Sequence, residues 1–135
     1  MTTILVGTDT SAAADLALED AARLARERGA ELLVLYVRPG SDARAVVDPD
    51  RAADPAAYLA RVAARFPGVM TRTRVESGDA AERIVEVAEE ERADTIVIGN
   101  RGAHGSRWRV RDSVPNIVVR HSPCSVYIVD TRLAQ

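Results

Sequence analysis

Two hydrophobic rhythms alternate along this chain. Ile4-Leu5-Val6 is a continuous apolar run ended by Gly7 and predicts a short buried strand. From Ser11 to Arg28 the spacing turns helical, with Ala14, Leu18, Ala21, Leu24 and Ala25 on one face. Thr10 or Ser11 can cap its start, and Gly29 ends it. Leu32 to Val37 predicts a second buried strand, closed by Arg38-Pro39-Gly40. Ser41 to Pro55, rich in aspartate and proline, reads as one long loop. A shorter helix follows, with Leu59, Val62, Ala63 and Phe66 sharing a face, and Pro67-Gly68 stops it. Val69, Thr71, Thr73 and Val75 then alternate with Met70, Arg72, Arg74 and Glu76, which predicts a strand with one wet face. Gly78-Asp79 turns into a third helix with Ala81, Ile84, Val85 and Ala88 on one side. Thr95 to Ile98 is the fourth strand. A last helix bears Val114, Ile117, Val118 and His121, and Ser125 to Val129 is the final strand.

Strands separated by helices must run parallel, because each helix is a right-handed crossover. The predicted fold is therefore a doubly wound, Rossmann-like α/β sandwich, one domain over residues 1–135. Its five-stranded parallel sheet has the order 3-2-1-4-5, with helices on both faces. In such a sheet a ligand sits beyond the carboxyl ends of the strands where the order reverses, here between strands one and four. The loops at that place are Gly7-Thr8-Asp9-Thr10-Ser11 and the stretch from Gly99 through Asn100, Arg101, Gly102, Ala103, His104 and Gly105 to Ser106. Glycines let backbone N–H groups approach an anion, and the helix opening near Ser113 adds further N–H groups and a positive dipole end. Phosphate suits such a site; glycine-rich loops also serve simply to turn the chain.

Composition narrows the chemistry. All 18 basic side chains counted as Lys or Arg are arginines. Without lysine there is no Walker-type phosphate lysine and no amine for Schiff-base chemistry. The net charge of −2 argues against a nucleic-acid partner or an anionic membrane surface. No apolar run reaches the ~18–20 residues of a membrane helix, and no leader is evident, so a cytoplasmic location is expected. Cys124 is expected to be a buried structural thiol, and His121 a packed core or interface residue. The histidines and the cysteine lack zinc spacing. No Ser-His-Asp order or paired-carboxylate motif stands out, so no catalytic residue is assigned.

Three stretches stand out in order along the chain: Thr2-Thr3-Ile4-Leu5-Val6-Gly7-Thr8-Asp9-Thr10-Ser11, Gly78-Asp79-Ala80-Ala81-Glu82-Arg83-Ile84, and Asp94-Thr95-Ile96-Val97-Ile98-Gly99-Asn100-Arg101-Gly102. Ser113-Val114-Pro115-Asn116 and Arg120-His121-Ser122-Pro123-Cys124-Ser125-Val126 follow them. Together these stretches resemble the universal stress protein family over essentially the whole length. The resemblance implies an ATP site. Thr8 and Asp9 match the first-loop positions near ribose and metal, and Val37 matches the position whose backbone faces adenine. Gly99, Arg101, Gly102, Ser113 and Val114 fall in the phosphate loop and its following helix. The family's nucleotide-binding branch carries a G-x2-G-x9-G-[S/T] signature. Gly99, Gly102 and Ser113 fit it, and Asp112 stands where the third glycine belongs.

Asp112 opposes a triphosphate. A carboxylate ~4 Å from a phosphate charge costs on the order of 1 kcal/mol in water and ~4 kcal/mol at an effective dielectric of 20. A helix N-terminus returns only ~0.3–1 kcal/mol. Asp112 can also be read as the cap of the last helix. A divalent cation, Mg2+ or Mn2+, shared by Asp9, Asp112 and the phosphates would offset the repulsion. So would Arg101, Arg107, Arg109 or Arg111 folded over them; the alternative is that these arginines form a solvated loop face. Trp108 reads as a loop lid or a partner contact, and His104 as an exposed loop residue.

The edges speak to assembly. Arg72 and Arg74 protect the open edge of strand three, whereas Val126-Tyr127-Ile128-Val129 carries no such charge. A homodimer through this last strand is expected, as the family resemblance also implies. Two functions remain in view: a nucleotide-binding stress sensor or switch, with ATP the expected ligand, and a nucleotide-free dimeric interaction module. Slow ATP hydrolysis stays open in the first.

Overall fold

The computed structural model describes residues 1–38, 52–100 and 113–131. Five parallel strands, β1 (Thr3–Thr8), β2 (Glu31–Arg38), β3 (Thr71–Ser77), β4 (Thr95–Gly99) and β5 (Ser125–Val129), form one sheet in the order β3-β2-β1-β4-β5. Between them run α1 (Ala12–Arg28), α2 (Pro55–Ala63), α3 (Ala80–Glu90) and α4 (Val114–His121). The expected fold and strand order are those observed.

The period-two geometry of a strand sorts the central residues onto two faces. Ile4, Val6, Leu32, Val34 and Val97 pack with Ala17, Leu18, Ala21 and Ala25 of α1 and with Tyr58, Leu59 and Val62 of α2. Leu5, Leu33, Leu35, Ile96 and Ile98 pack with Ala81, Ile84, Val87 and Ala88 of α3 and with Val118 of α4. The central strands are thus buried on both sides, which explains why they read as unbroken apolar runs. Each fully buried Leu or Ile contributes about 1.5–3 kcal/mol of transfer free energy.

Caps set the helix limits. Ser11 Oγ accepts from Ala14 N–H, and Gly29 closes α1 in the left-handed region at φ 64°. Asp54 and Asp79 cap α2 and α3 by accepting from Ala57 and Glu82 N–H.

Several local expectations change. Phe66 lies in the turn after α2, half-buried against the first cluster. On α3, Ala81, Ile84 and Ala88 are buried and Val85 is half-buried against the second cluster, as expected, and Val87 is buried there as well. The β3 alternation does not seal one face against the core. Thr73 is exposed and Val75 is 42% exposed, since β3 is an edge strand and the short α2 leaves that face uncovered. Arg72 and Arg74 pair with carboxylates at the C-terminal end of α3 and on β2 and β3. Arg72 reaches Glu31 at 3.0 Å and Glu91 at 2.6 Å. Arg74 reaches Glu90 at 2.7 Å, Glu76 at 2.8 Å and Glu91 at 2.9 Å. These hydrogen bonds hold the carboxyl groups of Glu31 and Glu91 below their ordinary pKa, against the opposing effect of burial.

His121, on the last turn of α4, is exposed in this chain rather than packed in its core. Cys124 is half-buried against the second cluster rather than sealed, and its N–H donates to Ser122 Oγ. No helix among the described residues is long and apolar enough to cross a membrane.

Candidate functional site

At the sheet's reversal, β1 pairs with β4 in register Ile4 to Thr95, Leu5 to Ile96 and Val6 to Val97. Both strands run out at the same carboxyl edge. The turn after β1, the end of β4 and the N-terminus of α4 therefore belong to one side of the molecule.

The turn after β1 is tightly organised. Thr8 ends β1 with its side chain buried, and its Oγ1 accepts the Thr10 N–H at 2.9 Å. Asp9 Oδ1 accepts the Ser11 N–H at 2.9 Å, an Asx turn that commits one carboxylate oxygen to the backbone. Thr10 sits at φ 69°, a region that costs a β-branched residue of order 1–3 kcal/mol and persists only where its surroundings impose it. The surroundings are visible. Besides the Thr8 bond, Thr10 Oγ1 accepts the Ala52 N–H at 2.9 Å, just ahead of α2. From α2 itself Tyr58 Oη comes within 3.4 Å of Thr8 Oγ1 and donates to Asp15 Oδ1 at 2.7 Å. Burial pushes the Tyr58 hydroxyl far above the ordinary tyrosine range, the Thr8 contact working against the rise and Asp15 adding to it. The hydroxyl thus stays a neutral donor. Asp15, Tyr58, Arg61, Val62 and Arg65 also line an open hollow of about 380 Å³ between α1 and α2.

Gly7 and Gly99 both face close neighbours, Gly99 much the more tightly. Gly7 lies within β1, and a Cβ there would stand 3.2 Å from Ile84 Cδ1 of α3. At Gly99 a Cβ would stand 2.8 Å from Thr131 Cγ2, closer than real carbon atoms approach. Thr131, just past β5, is 2% exposed and donates both its N–H and its Oγ1–H to Asn100 Oδ1, at 3.1 and 3.2 Å. The Asn100 N–H donates to Val129 O at 2.9 Å.

After residues 101–112, Ser113 caps α4, its Oγ accepting the Asn116 N–H at 3.2 Å. The alternative of Asp112 as cap is therefore set aside. Pro115 carries no N–H and the Asn116 N–H faces the cap. In its first three positions the helix has the Val114 N–H to offer an anion, fewer than expected.

Of the residues implicated by sequence, the fold brings Thr8, Asp9, Gly99, Ser113 and Val114 to the carboxyl edge. Val37 lies near the end of β2, half-buried against the second cluster. Arg101, Gly102, His104, Arg107, Trp108, Arg109, Arg111 and Asp112 lie outside the described residues. Among the described residues no group of three or more His, Cys, Asp or Glu could hold a metal ion. Tyr58, Asp15, Asn100 and Thr131 were not singled out by sequence, because each acts on a partner about 30 or more positions away. At the other end of the sheet, β5 is the edge strand. Val126 and Tyr127 are half-buried, Ile128 is 44% exposed and Val129 belongs to the core.

The sequence profile of the universal stress proteins matches residues 1–130. The chain belongs to the universal stress protein family. A universal stress protein of Synechocystis sp. is 33% identical over 132 residues, covering 94% of this chain and 84% of that one. One from Methanothermobacter thermautotrophicus is 40% identical over 65 residues, but the alignment spans only 48% of this chain and 44% of that relative. Among solved structures, a universal stress protein in complex with cAMP superposes with a TM-score of 0.77 at 27% identity, over 96% of this chain and 97% of that one. The universal stress protein from Lactobacillus plantarum gives a TM-score of 0.75 at 27% identity, over 95% and 97%.

Proposed function

We propose that this universal stress protein binds an adenine nucleotide, ATP with Mg2+ or Mn2+, at the carboxyl edge between β1 and β4. It then acts as a sensor or switch in a cytoplasmic stress response rather than as an efficient catalyst. The observation that carries this reading is the convergence of the turn after β1, the end of β4 and the N-terminus of α4 at the sheet's reversal. The similarity to a family member in complex with cAMP supports it. In this reading Thr8 and Asp9 serve the ribose and metal, the Val37 backbone faces adenine, and Gly99, Arg101, Gly102, Ser113 and Val114 surround the phosphates. Two copies pair through β5, where Tyr127 and Ile128 offer an uncharged edge.

Trp108 is the sole tryptophan and lies between Gly102 and Ser113 in sequence, so it reports on the site. Titrating ATP with magnesium should change its fluorescence saturably, and native mass spectrometry of freshly purified protein should show a carried nucleotide. A flat titration at millimolar ATP refutes binding. It would favour the second reading, a nucleotide-free dimeric interaction module, which draws on Asp112 at the third glycine position and on the few amides that α4 has to offer.

A further inference from the structure

Gly99 is the first glycine of the family's phosphate signature, yet the atom pressing on it belongs to the protein itself. The Thr131 methyl fills the space a Cβ would need, 2.8 Å from its ideal position, and Thr131 is 2% exposed. From there Thr131 holds Asn100 through two hydrogen bonds to Oδ1, while Val129 O holds the Asn100 N–H. Asn100 is the last residue before the segment that carries Gly102 and, further on, Ser113. We propose that Thr131 is a positioning residue for the nucleotide site: it seats on bare Gly99 and pins Asn100. The glycine at 99 is then demanded by the end of β5 rather than by a ligand.

The physical logic is one of interlocking shapes. A threonine methyl lying over a strand terminus leaves no slack, because protein interiors are packed to crystal density. The hydroxyl and N–H converge on one amide oxygen, which fixes the Asn100 side chain and, through it, the peptide from which residue 101 departs. Adding a methyl group at 99 must displace either Thr131 or the strand end, and both carry Asn100 with them. Removing the opposing methyl should restore the fit, because Thr131→Ser keeps the hydroxyl and deletes only Cγ2.

This inference rests on the proposed nucleotide site, and a double-mutant cycle tests the two separately. ATP with magnesium is titrated calorimetrically into the native protein, Gly99→Ala, Thr131→Ser and the double variant. Gly99→Ala is expected to weaken binding about tenfold in the native background and less than about twofold in the Thr131→Ser background. Equal losses in both backgrounds would overturn the proposal and return Gly99 to direct contact with the ligand. If the native protein binds no nucleotide, the site reading fails. The cycle is then read without ligand, from thermal unfolding and acrylamide quenching of Trp108. Gly99→Ala should lower Tm and alter quenching only where the Thr131 methyl is present; additive effects would overturn the proposal there as well.

Discussion

Replacing Tyr58 by phenylalanine deletes one oxygen from the join between α2 and the turn after β1, and its cost follows from what that oxygen touches. The side chain is 8% exposed, so the phenol is almost out of water. Its hydroxyl donates to Asp15 at 2.7 Å and lies 3.4 Å from Thr8 Oγ1. A hydrogen bond to a charged group contributes about 1.5–3 kcal/mol. Two features reduce that figure here. The Asp15 side chain is 37% exposed and keeps Arg65 at 3.6 Å, so water and guanidinium recover part of the loss. The Thr8 contact is long, and Thr8 retains the Thr10 N–H. The expected net loss is therefore about 1–1.5 kcal/mol. For a chain of this size that lowers Tm by about 3–6 °C.

Urea unfolding checks this directly: the midpoint should fall at unchanged m, since no surface is newly exposed. In an Asp15→Asn background the same substitution should cost less by at least about 0.5 kcal/mol. Strictly additive costs would show that the hydroxyl and the carboxylate do not act as a pair, and would refute the reasoning. The amide of Thr10 should also exchange faster in Tyr58→Phe, because its acceptor loses a neighbour that restrains it.

Three further outcomes are expected. Glu31 and Glu91 have pKa values lowered from 4.5 by Arg72, so their contribution is present above pH 4.5 and is lost as pH falls below it. Thermal melts between pH 7 and 3 should fall less steeply at the acid end for Arg72→Gln than for the parent; superimposable slopes would contradict this. Asp112→Gly should tighten ATP binding by ~1–3 kcal/mol, and because Ser113 already caps α4 it should not weaken the helix. Tighter binding in Asp112→Asn supports repulsion, whereas weaker binding in magnesium would make Asp112 a metal ligand. Ile128→Lys should raise the monomer fraction in sedimentation, and an unchanged dimer would place the contact elsewhere.

Much of the architecture was legible in one dimension because strands buried on both faces admit only apolar side chains. Ile4-Leu5-Val6, Leu32 to Leu35 and Ile96 to Ile98 could be read as such, and the alternation with helices then made the sheet parallel. Caps were legible for the same local reason: Ser11 and Gly29 act within a few residues of themselves. The family resemblance, carried by short motifs, likewise pointed to the carboxyl end of the sheet as the proposed ligand site. What the chain order could not show is every relation set by distant segments meeting. The exposure of Val75 depends on how far α2 reaches, and the pairing of Arg72 and Arg74 depends on where α3 ends. The left-handed Thr10 is held by Ala52, and Thr8 is neighboured by Tyr58, 50 positions on. Gly99 illustrates the limit best: in sequence it is a phosphate-loop glycine, and in space it is the seat of Thr131. A residue's type records that something approaches it closely; only the tertiary structure decides what, because packing contacts carry no trace of sequence separation.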